Sequence, residues 1–131
     1  MFSENDEPVK VAAGIIRKDA QVLLCQRGFN HRYALKWEFP GGKTIVGETL
    51  AECLERELSE ELNIEPVKFK ELKTVRTTYG DGGNFLITFF SITEYSGEIV
   101  NRVFEKIEWV NITELNKYDI LEGTLPILPY L

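Results

Sequence analysis

The chain has 131 residues, of which 44% are hydrophobic and 27% are charged, as expected for a soluble globular protein with one core. Its formal net charge of -6 disfavours a nucleic-acid polymer as a partner, because the two charges would repel. No apolar run approaches the length of a membrane span, and the acidic start, MFSENDEPVK, lacks a signal-peptide core. We therefore expect one cytoplasmic domain over residues 1–131, with no membrane partner and with residues 1–7 flexible.

The N-terminal part of the chain predicts a hairpin followed by a loop. Apolar runs with β-branched residues at 9–16 and 21–26 predict two paired strands. Residues 28–36 predict a loop, and residues 37–39 predict a short strand that Pro40-Gly41-Gly42 ends.

The two cysteines, Cys25 and Cys53, fall in a predicted strand and a predicted helix. Their spacing is not that of a metal site. We therefore expect two buried free thiols in a reducing compartment.

A helix predicted from about residue 49 to residue 62 carries two stripes. Leucine recurs at every fourth position on one face, at Leu50, Leu54, Leu58 and Leu62. On the adjoining face Glu57, Glu60 and Glu61 project within about one turn, where like charges weaken a helix. A cluster of oxygen ligands suits a hard cation such as Mg2+ or Mn2+. A solvated acidic face is the alternative that the spacing alone leaves open.

The second half of the chain is predicted to be mainly strand. Strands are expected at 67–78, 84–93 and 106–110, with a turn at Asp81-Gly82-Gly83 and a short helix at 112–118. The apolar tail from Thr124 onward is interrupted by two prolines. Strands on both sides of a central helix predict an α/β protein, with a mixed sheet sandwiched by helices.

The segment from Gly42 to Ile64, GKTIVGETLAECLERELSEELNI, resembles the Nudix box of the Nudix hydrolase superfamily. That pattern is G-x5-E-x7-R-E-U-x-E-E-x-G-U, where U is apolar, and it departs here only in having Asn63 in place of glycine. Asparagine is the next best residue for a left-handed helix cap, so the change concerns the helix end. A P-loop reading of Gly42-Lys43-Thr44 fails, because its first glycine would have to stand at Trp37.

The stretch before the box, WEFPGGK from Trp37 to Lys43, is similar to that of MutT-type triphosphatases, as is Gly14-Ile15-Ile16-Arg17. The resemblance implies a Nudix-type α/β/α sandwich with a mixed β-sheet, forming a single Nudix hydrolase domain. It implies a pyrophosphohydrolase that cleaves a (deoxy)nucleoside triphosphate to a monophosphate and pyrophosphate by metal-assisted water attack. Its partner would be a small-molecule nucleotide, and the protein a monomer or a homodimer.

The resemblance also implies roles for individual residues. The metal, Mg2+ or Mn2+, would be held by Glu57, Glu60, Glu61 and the carbonyl of Gly41, with Glu105 as the best candidate for a further carboxylate and Glu98 as its alternative. Glu48 would be a base or a water-orienting residue. Arg56 would orient the carboxylates or contact a phosphate. The substrate-binding candidates are Arg27, Phe39, Lys43 and Thr124, whose alternatives are ordinary core or surface positions.

The base is left open. The asparagine that reads the base in the MutT enzyme acting on 8-oxo-dGTP aligns with Thr124, whose hydroxyl cannot offer the paired donor and acceptor of an amide. An oxidised purine, a CTP-type pyrimidine, ADP-ribose and a dinucleotide polyphosphate all remain as substrates. The alternative of another class is a non-catalytic nucleotide-sensing module on the same fold. The complete set of box carboxylates favours an enzyme over that module.

Overall fold

A computed structural model describes residues 7–131, so residues 1–6 of the predicted flexible segment lie outside the described part. In that part the strands are β1 Val9–Lys18, β2 Gln21–Gln26, β3 Trp37–Glu38, β4 Gly41–Lys43, β5 Glu65–Thr78, β6 Asn84–Ser96 and β7 Lys106–Asn111. An α-helix, α1, spans Leu50–Leu62. Two 3-10 helices follow β7, at Ile112–Lys117 and Glu122–Tyr130.

The strands form a mixed sheet in the order β3-β2-β1-β6-β5, with β4 paired to β1 and β7 paired to β2. The parallel pair is β1 and β6, with Val9 opposite Phe85 and Ile16 opposite Ile92. The other strand pairs are antiparallel. The α/β class and the mixed sheet expected from the sequence are confirmed.

Helix α1 begins and ends where its flanking residues can satisfy free backbone groups. The Thr49 hydroxyl accepts the Glu52 backbone N–H at 3.1 Å, and the Glu52 carboxylate accepts the Thr49 N–H at 2.9 Å, which completes a capping box. At the other end Asn63 adopts a left-handed conformation (φ 62) and donates its backbone N–H to the Ser59 carbonyl. Asn63 therefore caps the helix as a glycine would.

The sheet is covered on both faces, because neighbouring side chains of β1 point into two separate apolar clusters. On one side Ile16 packs with the buried leucine stripe of α1, formed by Leu54, Leu58 and Leu62. On the other side Ile15 packs with Leu115 and Ile127 from the two 3-10 helices. The sandwich is therefore completed by α-helix on one face and by 3-10 helix on the other.

Two elements differ from the sequence prediction. Gly41 and Gly42, expected to end a strand, lie within β4 and pair with Ala13 and Ala12 of β1. A Cβ at Gly41 would collide with the Ala12 carbonyl oxygen, so the close approach of the two strands requires glycine. The proline-interrupted tail forms a 3-10 helix, anchored by the fully buried Ile127.

Cys25 and Cys53 are both buried and free, as predicted. Within residues 7–131 no helix has the length and apolar character needed to cross a membrane.

Candidate functional site

Arg56 lies at the centre of the acidic face of α1. Its Nε and Nη2 donate to the two oxygens of Glu48 at 2.7 and 3.0 Å. Its Nη1 donates to Glu57 at 2.8 Å, and Nη2 also reaches the Lys43 carbonyl at 3.0 Å. A planar guanidinium that binds three groups at once fixes their relative positions. This is the geometry that the orienting role predicted for Arg56 requires.

Glu48 is held from two sides. Besides Arg56, it accepts the Ile45 backbone N–H at 3.0 Å. The hydrogen bond from Arg56, followed by the one from Ile45, lowers the pKa of Glu48 to about 2. Glu48 is therefore ionised and firmly placed beside Glu57, while the choice between base and water-orienting residue stays a prediction.

Glu57 and Glu61 face the strand β4 from the helix. The Gly41 backbone N–H donates to Glu61 at 3.0 Å. A Cβ at Gly42 would stand 2.5 Å from the carboxyl carbon of Glu57, so this position leaves no room for a side chain. The two glycines thus let the chain pass directly over the carboxylates.

Burial, followed by the neighbouring Glu57 and Glu38, raises the pKa of Glu61 well above its usual range. Two carboxylates this close repel each other when both are ionised, and a divalent cation between them would remove that repulsion. Their oxygens are the ligands that Mg2+ and Mn2+ prefer. The residues present therefore fit such an ion in their chemistry.

The carboxylates do not have the arrangement of a complete metal site. No group of three or more His, Cys, Asp or Glu side chains in residues 7–131 has the arrangement needed to hold a metal ion. Glu57 is engaged by Arg56, and the Glu60 side chain is 59% exposed with only a 3.4 Å contact to Arg56. The Glu60 side chain is therefore only weakly held, so little opposes its use as a ligand.

A cavity of about 510 Å³ opens directly beside these carboxylates, within the size range of small-molecule sites. At one end it is lined by predicted metal ligands, namely Gly41, Glu57, Glu60 and Glu61. Lys43 lies beside them, and the lining also includes the other three predicted substrate-binding residues, Arg27, Phe39 and Thr124. The fold therefore brings together eight residues from four separate parts of the sequence.

The far end of the cavity is aromatic and contains a charged pair. Arg27 donates to both oxygens of Glu38 at 3.0 and 3.2 Å. Burial raises the pKa of Glu38 to about 7, against the opposing effect of Arg27. The Tyr33 and Tyr79 rings stack with their centroids 4.5 Å apart. A flat ring with polar edges would meet apolar faces and hydrogen-bonding groups at this end.

The individual residues differ in how they reach the cavity. Thr124 is 4% exposed, and the Tyr79 hydroxyl beside it accepts the Gly123 backbone N–H at 2.8 Å. Phe39 is 3% exposed and in edge contact with Phe89, as a core residue is. Lys43 is exposed at the acidic end. Their roles toward a substrate stay predictions.

Glu105 is a predicted metal ligand that does not line the cavity. It is exposed, its backbone N–H donates to the Gln26 carbonyl at 2.9 Å, and it is not among the residues that line the cavity. The neighbouring Phe104 lines the cavity instead. The predicted metal role of Glu105 therefore has no geometric support.

Glu38 is the residue that the sequence reasoning passed over. It stands between Trp37 and Phe39, which are both buried, and its side chain is only 18% exposed. A carboxylate inside such an apolar run is costly to bury without a partner. The position of Glu38 in this apolar run could therefore have indicated that it has a cationic partner. The structure shows that the partner is Arg27.

The comparisons with known proteins agree with this geometry. A family model described as the NUDIX domain matches residues 8–131. The chain is 29% identical over 124 residues to a protein named 8-oxo-dGTP diphosphatase from Escherichia coli (strain K12), covering 94% of this chain and 95% of that protein. It is 28% identical over 120 residues to one named CTP pyrophosphohydrolase from the same strain, covering 92% of this chain and 88% of that protein.

A solved structure supports the fold. The crystal structure described as MutT NUDIX hydrolase from Burkholderia pseudomallei superimposes with a TM-score of 0.88. The match covers 95% of this chain and 98% of that one, at 23% sequence identity. At this identity the similarity establishes the sandwich and its helix rather than a substrate.

Proposed function

Because this chain belongs to the NUDIX domain family of hydrolases, we propose that it is a divalent-metal-dependent pyrophosphohydrolase of nucleoside or deoxynucleoside triphosphates. The products would be a nucleoside monophosphate and pyrophosphate. The observation that supports this proposal is that one cavity is lined both by the carboxylates of Glu57, Glu60 and Glu61 and by the stacked rings of Tyr33 and Tyr79. A nucleoside triphosphate has two matching parts: its phosphates require cations, which the carboxylates would hold, and its base requires flat apolar contacts.

The acidic end would bind the phosphates through Glu57, Glu60, Glu61 and the Gly41 carbonyl as ligands of Mg2+ or Mn2+. When bound, the ion would supply charge neutralisation at the phosphate oxygens and make the attacking water more acidic. Because the carboxylates and the phosphates repel one another, binding of the substrate should be weak without the ion.

The protein's own groups would orient and hold the reactants. Arg56 keeps Glu48 and Glu57 in fixed positions through its short hydrogen bonds, so neither carboxylate must be ordered when substrate binds. Lys43, exposed beside the carboxylates, would neutralise a phosphate oxygen. Glu48 would orient the water or accept its proton.

The aromatic end would select the base. Arg27 and Glu38 together present donors and an acceptor to the edge of a ring, while Thr124 offers a single hydroxyl. A carboxylate would accept hydrogen bonds from the amino group of cytosine as well as from that of an oxidised guanine, so a CTP-type pyrimidine is a second candidate beside an oxidised purine. The two relatives, named for 8-oxo-dGTP and for CTP, span the same pair of candidates.

The test is a screen for pyrophosphate and phosphate release. The panel would contain ordinary and oxidised (deoxy)nucleoside triphosphates, ADP-ribose and dinucleotide polyphosphates, each with Mg2+, Mn2+ or EDTA. We expect pyrophosphate release from one triphosphate that EDTA abolishes and added Mg2+ restores. A folded protein that binds nucleotide but releases nothing from any of them would favour the non-catalytic sensor.

Replacing Glu38 by glutamine should change base preference more than overall activity. Glutamine keeps the volume and one acceptor oxygen but loses the charge that pairs with Arg27, so the groups offered to the base edge change. A good two-point base contact discriminates by about 1–3 kcal/mol, so we expect the ratio of kcat/KM between the two best triphosphates to shift by about tenfold. The control is Glu65→Gln, an exposed glutamate at the start of β5. An unchanged ratio would mean that the base does not contact Glu38.

A further inference from the structure

The segment 97–104, between β6 and β7, is seated on the carboxyl end of α1. The Val100 backbone N–H donates to the Leu62 carbonyl at 2.9 Å, and the Arg102 N–H donates to the Glu61 carbonyl at 3.0 Å. These carbonyls belong to the last turn of the helix, where no partner within the helix exists. The segment therefore continues the hydrogen bonding of the helix that carries the carboxylates.

Side-chain hydrogen bonds strengthen the contact between segment 97–104 and α1. Arg102 donates from Nη1 to the Ser59 carbonyl at 3.2 Å and from Nη2 to the Asn63 Oδ1 at 2.9 Å. Asn63 in turn donates its Nδ2 to the Glu98 carbonyl at 3.2 Å. The last turn of α1 contains no basic residue of its own, so Arg102 brings the cation that a helix carboxyl end favours.

The locked segment also forms part of the cavity wall. Val103 and Phe104 both line the cavity that contains the carboxylates. Phe104 is fixed locally, since its N–H and C=O bind the Asn101 side chain at 2.8 and 2.9 Å. The contacts of Asn63 and Arg102, together with the backbone bond of Val100, therefore hold this wall in its position relative to α1.

Asn63 is the residue at which the box departs from the family pattern. Glycine at this position would cap the helix equally well, because it adopts the left-handed conformation without cost. Glycine has no side chain, however, and could make neither contact with segment 97–104. The asparagine thus has a function that helix capping does not explain.

We propose that Asn63 and Arg102 form a clasp that fixes segment 97–104 on α1 and so positions the Val103–Phe104 wall of the cavity for substrate binding. The proposal rests on the proposed function for its substrate. Both residues are positioning residues, since neither lines the cavity. Their side chains are exposed, so losing the clasp should make local opening of the segment easier without disturbing the packing of the core.

The decisive variant is Asn63→Gly, which restores the family residue. We expect amide exchange in segment 97–104 to accelerate about tenfold, because the side-chain bonds that oppose its opening are lost. KM for the preferred triphosphate should rise by about the same factor, with kcat changed less than about twofold, because the carboxylates of α1 remain in place. The melting temperature should stay within about 4 °C of wild type, since the cap is retained.

Four variants provide the controls. Asn63→Asp retains an acceptor for Arg102 and should recover most of the wild-type KM. Arg102→Ala should have an effect similar to that of Asn63→Gly, and the effects of the double variant should be smaller than the sum of the two, since the single changes share the bond between Arg102 and Asn63. Arg76→Ala removes an exposed arginine from β5, away from the cavity lining, and should behave as wild type.

The outcomes separate this proposal from the proposed function. Wild-type exchange in Asn63→Gly, or faster exchange with an unchanged KM, would overturn the clasp. If the wild-type protein hydrolyses no triphosphate, the proposed function fails. The clasp is then judged by the affinity for a non-hydrolysable triphosphate analogue, which should weaken about tenfold in Asn63→Gly. An unchanged affinity would overturn it.

Discussion

Replacing Glu60 by glutamine should lower turnover of the preferred triphosphate by two to three orders of magnitude while leaving the protein folded. The predicted role of Glu60 is to hold the divalent ion, through which both charge neutralisation and water activation would pass, and a neutral amide is a poor ligand for it. The structural cost is small, because the side chain is 59% exposed and its contact with Arg56 is long, at 3.4 Å. Relief of repulsion from Glu57 offsets part of that cost.

The measurement is kcat for pyrophosphate release at saturating Mg2+, alongside a thermal melt. Glu55→Gln is the matched control, since Glu55 is an exposed glutamate on the same helix that does not line the cavity. That variant should keep wild-type turnover. Full activity in Glu60→Gln would show that Glu60 is not a ligand of the catalytic ion.

Replacing Arg56 by alanine should damage both stability and activity. The Glu48 and Glu57 side chains are only 13% and 15% exposed, and without the guanidinium they would face each other unpaired. Removing the guanidinium leaves both carboxylates without their cation, so we expect the free energy of unfolding to fall. Activity should fall by at least about a hundredfold, because the carboxylates lose their fixed positions.

Denaturant unfolding with and without Mg2+ measures the first effect. A divalent ion that binds the same carboxylates should restore part of the lost stability in Arg56→Ala. Arg56→Lys keeps the charge but cannot bind both oxygens of Glu48 and reach the Lys43 carbonyl at once, so it should lie between alanine and wild type. An alanine variant as stable as wild type would mean that solvent already satisfies these carboxylates.

Much of the acidic end of the site could be predicted from sequence because its residues are close together in the chain. Glu57, Glu60 and Glu61 share one helix face by the 3.6-residue period alone, and Arg56 stands beside them. The leucine stripe identified the adjoining face as the buried one, and Leu54, Leu58 and Leu62 are fully buried as expected.

The aromatic end was harder to predict, because its parts come from separate strands and loops. Arg27 and Thr124 were proposed one at a time from resemblance, and their meeting in one cavity depends on how β2 and the second 3-10 helix pack. Glu38 and Tyr33 were not proposed at all. Glu105 was proposed from resemblance too, but it does not line the cavity, and its metal role stays a prediction.

The sequence by itself determined the family, the α/β class, the helix with its two stripes and the chemistry of the carboxylates. Each of these depends on the order and spacing of residues along the chain, which the sequence contains directly. Only the tertiary structure decided the strand β4, the pairing of Arg27 with Glu38, and the contact between Asn63 and Arg102. These depend on which distant segments the packing of the sheet brings together, and no local period contains that information.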